Sequence, residues 1–361
     1  MKYSKKLKKY SMELAALDGV AAHENEVADY VIRELHNLSK VKVERDGLGS
    51  IAAILKSSIK DAPTVSFTAH MDEVGFMITK IDSKGFIKFA PIGGWWSHVV
   101  LAKLLKIKSS GGEDIIGVVG STPPHLLKPE EAKLTIPLKN MFIDIGANSK
   151  EEVEQKGIKI GDQIVPASLP PFEILNDRIM AKAHDNRISV AVGLELLRFL
   201  SNEDLKCNFI FVFSTQEEVG LRGARTSAYK WKPDVGFAID VTIANDAPGM
   251  EDRDTKLGAG VALSHFDSSI IANPKLVNLM EEIAKKNQIK YTFDSLMGGG
   301  TDAGIIHLSK DGVISMTLSI PSRYMHSHHS IIDLKDVQCT VDLILAFVRE
   351  FNSNIFYDLK F

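Results

Sequence analysis

Residues 207–220 read CNFIFVFSTQEEVG, an uncharged run rich in aromatic and β-branched residues that stops at two adjacent glutamates. A run this short and this apolar suits a strand covered on both faces, as in the parallel sheets of α/β proteins. Its neighbours keep that reading. Upstream, 188–200 (ISVAVGLELLRFL) has the spacing of an amphipathic helix. Downstream follow a strand at 235–241 (VGFAIDV), a helix at 274–287 (PKLVNLMEEIAKKN), a strand at 313–320 (VISMTLSI) and a closing helix at 336–351. Near the N-terminus, 26–38 (EVADYVIRELHNL) places Val27, Tyr30, Val31, Leu35 and Leu38 at helical spacing. Strands are expected at 41–46, 50–56 and 64–70 (TVSFTAH).

Between about Glu73 and Ser168 the texture changes. Short alternating runs (GFMITKI, GFIKFA, LAKLLKI, IIGVVG, NMFIDIG, QIVPA) are separated by Gly, Pro and Asp-Ser turns, the pattern of an all-β barrel or sandwich. One helical stretch interrupts it at 149–157, where Ser149 and Glu152 have capping-box spacing. The simplest division is an α/β domain from 1–72 and 169–361 carrying a β-rich insertion at 73–168. No internal repeat or low-complexity linker appears.

A chain of 361 residues accommodates two domains, and 45% hydrophobic with 25% charged residues is ordinary globular usage. The 43 basic and 46 acidic residues give a net charge of −3, which leaves no basic field for nucleic acid or anionic lipid. Cys207 and Cys339 are too few for a disulfide framework or a thiolate zinc site, and both read as buried small hydrophobes. The lysine-rich start resembles a signal n-region, but Glu13 and Asp18 interrupt the apolar segment after it, and a solvated helix face is the better reading. No window reaches the length of a membrane span. The expectation is a soluble, cytoplasmic protein.

Dinucleotide, P-loop, nucleophile-elbow and H-E-x-x-H signatures are all absent. What remains is a set of histidines and carboxylates at expected strand ends, where open α/β sheets gather their ligands. His70 and Asp72 end the strand TVSFTAH, either as a metal ligand with a carboxylate on its other nitrogen or as a polar pair closing a turn. Asp185, in AKAHDNRISVAVG, can cap the following helix or offer its two oxygens to two metals. Glu217 and Glu218 repel one another unless cations or a shared proton relieve them, or they form a solvated turn. Asp240 ends an aliphatic strand and needs a partner there, or serves as a helix cap. His326, His328 and His329, in IPSRYMHSHHS, suit a metal or an exposed polar loop. Together these make a two-metal hydrolase site, whose ions sit about 3.5–4 Å apart and clamp the attacking and leaving oxygens.

In DGLGS, AHMDEVGFM, AHDNR, STQEEVGLRGA, AIDV, GGGTDAG (298–304) and IPSRYMHSH, nearly the whole chain resembles the dinuclear metalloaminopeptidases of the glutamyl, tetrahedral (TET) and deblocking type. The resemblance implies one divalent metal on His70, Asp185 and Asp240 and a second on Asp185, Glu218 and His326, with zinc or cobalt, and also manganese, as the ions. It further implies Glu217 as general base, Asp72 as the carboxylate on His70, and an activity that hydrolyses N-terminal residues from peptides with a free N-terminus. The implied fold is a metallopeptidase domain with a central mixed sheet flanked by helices, plus a PDZ-like insertion that mediates dimers and tetrahedral dodecamers.

His184 stands where the pattern expects an apolar residue, and Ser50 where it expects asparagine. His184 is expected to be a hydrogen-bonding neighbour, and for His328 a place near the substrate is the alternative to a polar loop residue. Trp95 and Trp96 are expected in the core of the insertion, and glycines 298–300 in a tight turn facing the substrate. Arg323, beside the histidine loop, is compatible with acidic, basic or neutral preferences. The competing functions are another co-catalytic metal hydrolase, a deacylase or carboxypeptidase, and, further off, a metal-independent glycosidase.

Overall fold

The computed structural model describes residues 3–360. Two helices, α1 (Lys5–Ala16) and α2 (Asn25–Leu35), precede β1 (Lys42–Arg45), β2 (Ile51–Leu55) and β3 (Thr64–His70). Six strands then form a separate unit: β4 (Gly75–Ile81), β5 (Ile87–Ile92), β6 (Leu104–Lys108), β7 (Asp114–Gly120), β8 (Phe142–Asp144) and β9 (Gln163–Pro166), with α3 (Lys150–Gln155) before the last. The chain returns through β10 (Phe172–Ile174), β11 (Arg178–Ala181), α4 (His184–Leu200), β12 (Asn208–Ser214), α5 (Arg222–Trp231) and β13 (Val235–Ile243). It closes with β14 (Val261–Phe266), α6 (Pro274–Lys286), β15 (Tyr291–Ser295), α7 (Ala303–Ile306), β16 (Ile314–Arg323), β17 (Ser330–Asp333), α8 (Leu334–Glu350) and α9 (Ser353–Leu359).

Eleven strands make one sheet in the order β1-β2-β12-β3-β13-β16-β17-β11-β10, with β14 and β15 added beside β16. The sheet is mixed. β12 runs parallel to β3 but antiparallel to β2, so the aromatic run is only half in the parallel setting its composition suggested. β3, β12, β13 and β16 share one direction, which brings their carboxyl ends to one rim. The core beneath is aromatic: Phe67 stacks on Phe237 with ring centroids 4.5 Å apart, and Phe347 of α8 meets both edge-on.

The expected amphipathic helix at 188–200 is instead buried on nearly every side. The sheet lies on one face of α4 and α1 and α8 pack on others. Gly193 allows that approach, because a Cβ there would lie 2.3 Å from Phe211 Cε1. The buried Glu195 is met by Arg198 at 2.8 Å and by the Ser4 hydroxyl at 2.6 Å. α2 ends at Leu35, three residues short of expectation, and the chain continues as a turn closed by Leu38 N–H to the Leu35 carbonyl. As expected, α1 turns Lys5 and Lys9 outward over buried Leu7, Tyr10 and Leu14. Both cysteines are buried.

The six strands of the second unit close as a barrel, β4-β5-β8-β7-β6-β9, around Phe76, Ile78, Ile87, Leu105, Ile107 and Ile143. Trp95 stacks on Phe76 at 4.7 Å in this core, whereas Trp96 is 65% exposed and takes no part in it. Ser149 caps α3 by accepting from the Glu152 N–H at 3.3 Å. The Glu152 carboxylate reaches one residue further back than a capping box, to the Asn148 N–H at 2.7 Å. A buried ionic network ties the barrel to the sheet domain. Asp18 faces Lys106 and Lys108 of β6 and, at 3.2 Å, Lys182, which also meets Glu73 at 2.5 Å. Among the described residues no helix is long and apolar enough to cross a membrane.

Candidate active site

The common rim of the parallel strands carries the side chains singled out from the sequence. His70 is the last residue of β3 and pairs in register with Ser214, the last of β12. From Ser214 the chain continues through Thr215 and Gln216 to Glu217 and Glu218. Asp240 lies near the end of β13, and His326 comes three residues after β16. Asp185 enters from the start of α4, after a left-handed Ala183 (φ 55°). Gln216 and His326 are also left-handed, at φ 56° and 52°, conformations that cost a non-glycine residue and are often kept at functional sites.

Asp185 does not cap α4. Its Oδ1 lies 3.2 Å from His70 Nε2 and its Oδ2 3.2 Å from His326 Nε2. Asp240 Oδ1 is 3.8 Å and Glu217 Oε2 3.7 Å from His70 Nε2, while Glu218 Oε2 is 3.7 Å from His326 Nε2. Three groupings are close enough to hold a metal: His70–Asp185–Asp240, Asp185–Glu218–His326 and His70–Glu217–Glu218. The first two share Asp185.

Each histidine is oriented by a backbone carbonyl. His70 Nδ1 meets the Asp72 carbonyl at 3.0 Å and His326 Nδ1 meets the Gly94 carbonyl at 2.8 Å. A carbonyl only accepts, so Nδ1 carries the proton and Nε2 turns its lone pair toward the carboxylates. Such an arrangement repels unless a proton or cation sits between. The electrostatics record this crowding. Burial, with Asp240, Asp302 and Glu218, pushes Glu217 well above the usual carboxylate range. Burial and Asp185 push Glu218 up to about 8. Burial also raises Asp240, and Asp302 is raised to about 6. Burial opposes the charged form of His326, yet Asp185 and Glu218 outweigh it and raise its pKa to about 9. Asp185 is held below the ordinary range because both imidazoles outweigh its burial.

The Asp72 carboxylate does more than the expected contact with His70, from whose Nδ1 it lies 3.4 Å. Its two oxygens accept the N–H groups of Glu217 at 3.0 Å and Glu218 at 3.2 Å, fixing the turn that presents both glutamates. His184 is fully buried and hydrogen-bonded to the Ile179 carbonyl at 3.2 Å, and burial lowers its pKa to about 4. Arg323 is engaged in a two-pronged pair with Asp246 at 2.8 and 2.6 Å. Glycines 298–300 line a cavity of about 880 Å³ that contains the whole cluster.

Three contributors had escaped the sequence reading. Asp302, in the GGGTDAG motif, accepts from the Ser214 hydroxyl at 2.5 Å behind the cluster. Gly93 and Gly94, between β5 and β6, bring the barrel over the site. A Cβ on Gly93, already at φ +79°, would lie 2.7 Å from Val74 Cγ1 and 3.2 Å from Glu218 Cβ.

Fold and site together have the form of a metal-dependent hydrolase built on an α/β sheet with an added barrel. The sequence profile described as M42 glutamyl aminopeptidase matches residues 49–343, and the chain belongs to that aminopeptidase family. It is 34% identical to the glutamyl aminopeptidase of Lactococcus lactis, covering 96% of this chain and 97% of that one. It is 35% identical to the lysyl aminopeptidase of Pyrococcus furiosus, covering 92% and 94%. The crystal structure of a TET aminopeptidase from a marine sediment thaumarchaeote superposes with a TM-score of 0.94 at 35% identity, over 98% of this chain and 99% of that one. The Pyrococcus horikoshii TET1 peptidase, described as assembling into a tetrahedron or a large octahedral shell, gives a TM-score of 0.83 at 32% identity, over 96% and 99%.

Proposed function

We propose that the protein removes N-terminal residues from peptides using two divalent metal ions, one on His70, Asp185 and Asp240 and the other on Asp185, Glu218 and His326. The observation that carries this reading is Asp185, which offers one oxygen to each of two histidines. The donors fit such ions. Both Nε2 atoms face carboxylates, and the buried Glu218 Oε1 has no hydrogen-bond partner. Nitrogen and carboxylate donors accept zinc, cobalt or manganese. Bound there, the ions supply Lewis acidity and lower the pKa of the attacking water.

The protein's own groups do the rest. Glu217, raised in proton affinity by its burial, takes a proton from the attacking water and passes it to the departing amine. Asp72 holds Glu217 and Glu218 apart in these two roles through their N–H groups. A free α-amino group has a lone pair to offer such a metal ion and an acetylated nitrogen does not, so a free N-terminus is selected over an acetylated one.

The test is a rate assay on one short peptide and its N-acetylated twin, after chelation and after adding back cobalt or zinc. Cleavage of the free peptide alone, restored by metal, is the expected result. Cleavage of the acetylated twin would favour a deacylase or carboxypeptidase, and activity indifferent to chelation would refute the metal mechanism. Glutamyl and lysyl enzymes stand at similar identity to this chain, so side-chain preference belongs to the cavity wall.

We also propose that residues 73–168 act as an inserted, PDZ-like assembly domain. Leu104 of β6 and Val118 of β7 face each other in register and are exposed, with exposed Ile116 two residues on. Such an apolar strip suits contact with a second copy. Light scattering is expected to give a dimer or a dodecamer, and a strict monomer would overturn this.

A further inference from the structure

Beside the cavity that holds the histidine and carboxylate cluster lies a second, of about 700 Å³, and the two meet at Gly94, Met325 and His326. Both volumes fall in the range of small-molecule sites. Their linings differ. The first is walled by Asp185, Glu217, Glu218 and Asp240. No acidic side chain lines the second, which has Lys103, His98, His328 and His329, with Tyr324 and Trp96 as its aromatic walls. Among the described residues no carboxylate pairs with Lys103, which is exposed. His328 is only 5% exposed, with the Trp95 ring 5.7 Å from its own.

A short peptide is a zwitterion. With its amino end in the first cavity, the part beyond the scissile bond leaves past His326, where the second cavity begins. We propose that this second cavity receives the departing portion of the substrate and that Lys103 pairs with its terminal carboxylate, making short peptides with a free C-terminus the favoured substrates. The inference rests on the aminopeptidase reading above. A longer peptide carries its carboxylate out of reach and forgoes the contact. Amidation of a short peptide removes the charge that Lys103 would meet.

The experiment compares kcat/KM of the metal-loaded enzyme for a tripeptide and its C-terminal amide, with an aminoacyl anilide as a substrate that has no C-terminal part. For an exposed lysine the acid is expected to be favoured about fivefold over the amide, the upper end for a solvent-screened pair. In Lys103→Gln that ratio is expected to fall to about one, and in Lys103→Glu the amide is expected to become the better substrate. A wild-type ratio of one, or a fivefold preference retained in Lys103→Gln, overturns the proposal. If neither the peptides nor the anilide are cleaved with metal present, the aminopeptidase reading fails instead. Anilide cleavage with an acid-to-amide ratio of one removes only the role given to Lys103.

Discussion

Glu217→Gln is expected to lower kcat by about 10²–10⁴-fold, the range of a positioned general base, while metal content stays at two ions per subunit. The substitution keeps the shape of the side chain and removes its capacity to accept a proton. The Asp72 clamp acts on the backbone N–H of Glu217, so the turn should survive the change. Metal analysis beside the rate assay separates two roles that the geometry alone allows, since His70, Glu217 and Glu218 also form a possible metal grouping. Loss of an ion in Glu217→Gln would make Glu217 a ligand. A rate near wild type would remove it from the chemistry altogether.

Arg187→Met is expected to cost about 3–5 kcal/mol of stability, the range for breaking a buried charged contact by removing one partner. The Arg187 side chain is completely buried. Its Nε donates to the Met71 carbonyl at 2.6 Å, and its two terminal nitrogens donate to Leu14, Leu17 and Gly19 at 3.0–3.1 Å. One guanidinium thus ties the end of α1, the loop after it and the segment following β3 to the start of α4. Methionine fills comparable space but leaves the Met71 carbonyl without a donor and takes one donor each from Leu14, Leu17 and Gly19, which keep the Leu17 N–H, Lys182 and the Glu73 N–H. It also removes one of the two cations beside buried Glu73, 3.5 Å from the guanidinium, and such losses are costly. Arg187→Lys should recover little, because an ammonium cannot reproduce the fork. Urea unfolding measures the loss, and a change below about 1 kcal/mol would show that water replaces the fork without penalty.

The parts of the fold that were legible are those in which one physical requirement dominates. β3 matches TVSFTAH residue for residue, and all six barrel strands overlap the expected runs, with β4, β8 and β9 inside them and β5, β6 and β7 overrunning by one or two residues, because strands between turn residues leave a clear alternation. α5 was missed because RGARTSAYKW carries few apolar residues, its buried positions being glycine, alanines and a serine. β14, β15 and β17 went unread because they are short strands without a sustained alternation of apolar residues. α4 was read as amphipathic because Glu195 and Arg198 look like a solvent face, yet they pair with one another beside Ser4. In the site, the strand-end acids and histidines stood out because charge at the end of a buried strand needs a partner. Gly94 did not, since it contributes a carbonyl that any residue possesses. The double duty of Asp72 was equally hidden, because its acceptor contacts run to backbone N–H groups 145 and 146 residues away.

The carbonyl of Gly94 decides which nitrogen of His326 bears the proton. The barrel therefore writes part of the protonation pattern of a site whose other members belong to the sheet. Exchange of this barrel for an unrelated small module, of the sort that recombination offers to genes, would release the histidine ring to rotate or to switch tautomer while every acidic side chain remained in place. The barrel and the sheet are thus bound to a shared inheritance, and the Gly93–Gly94 crossing is the seam along which they can be told apart but not separated.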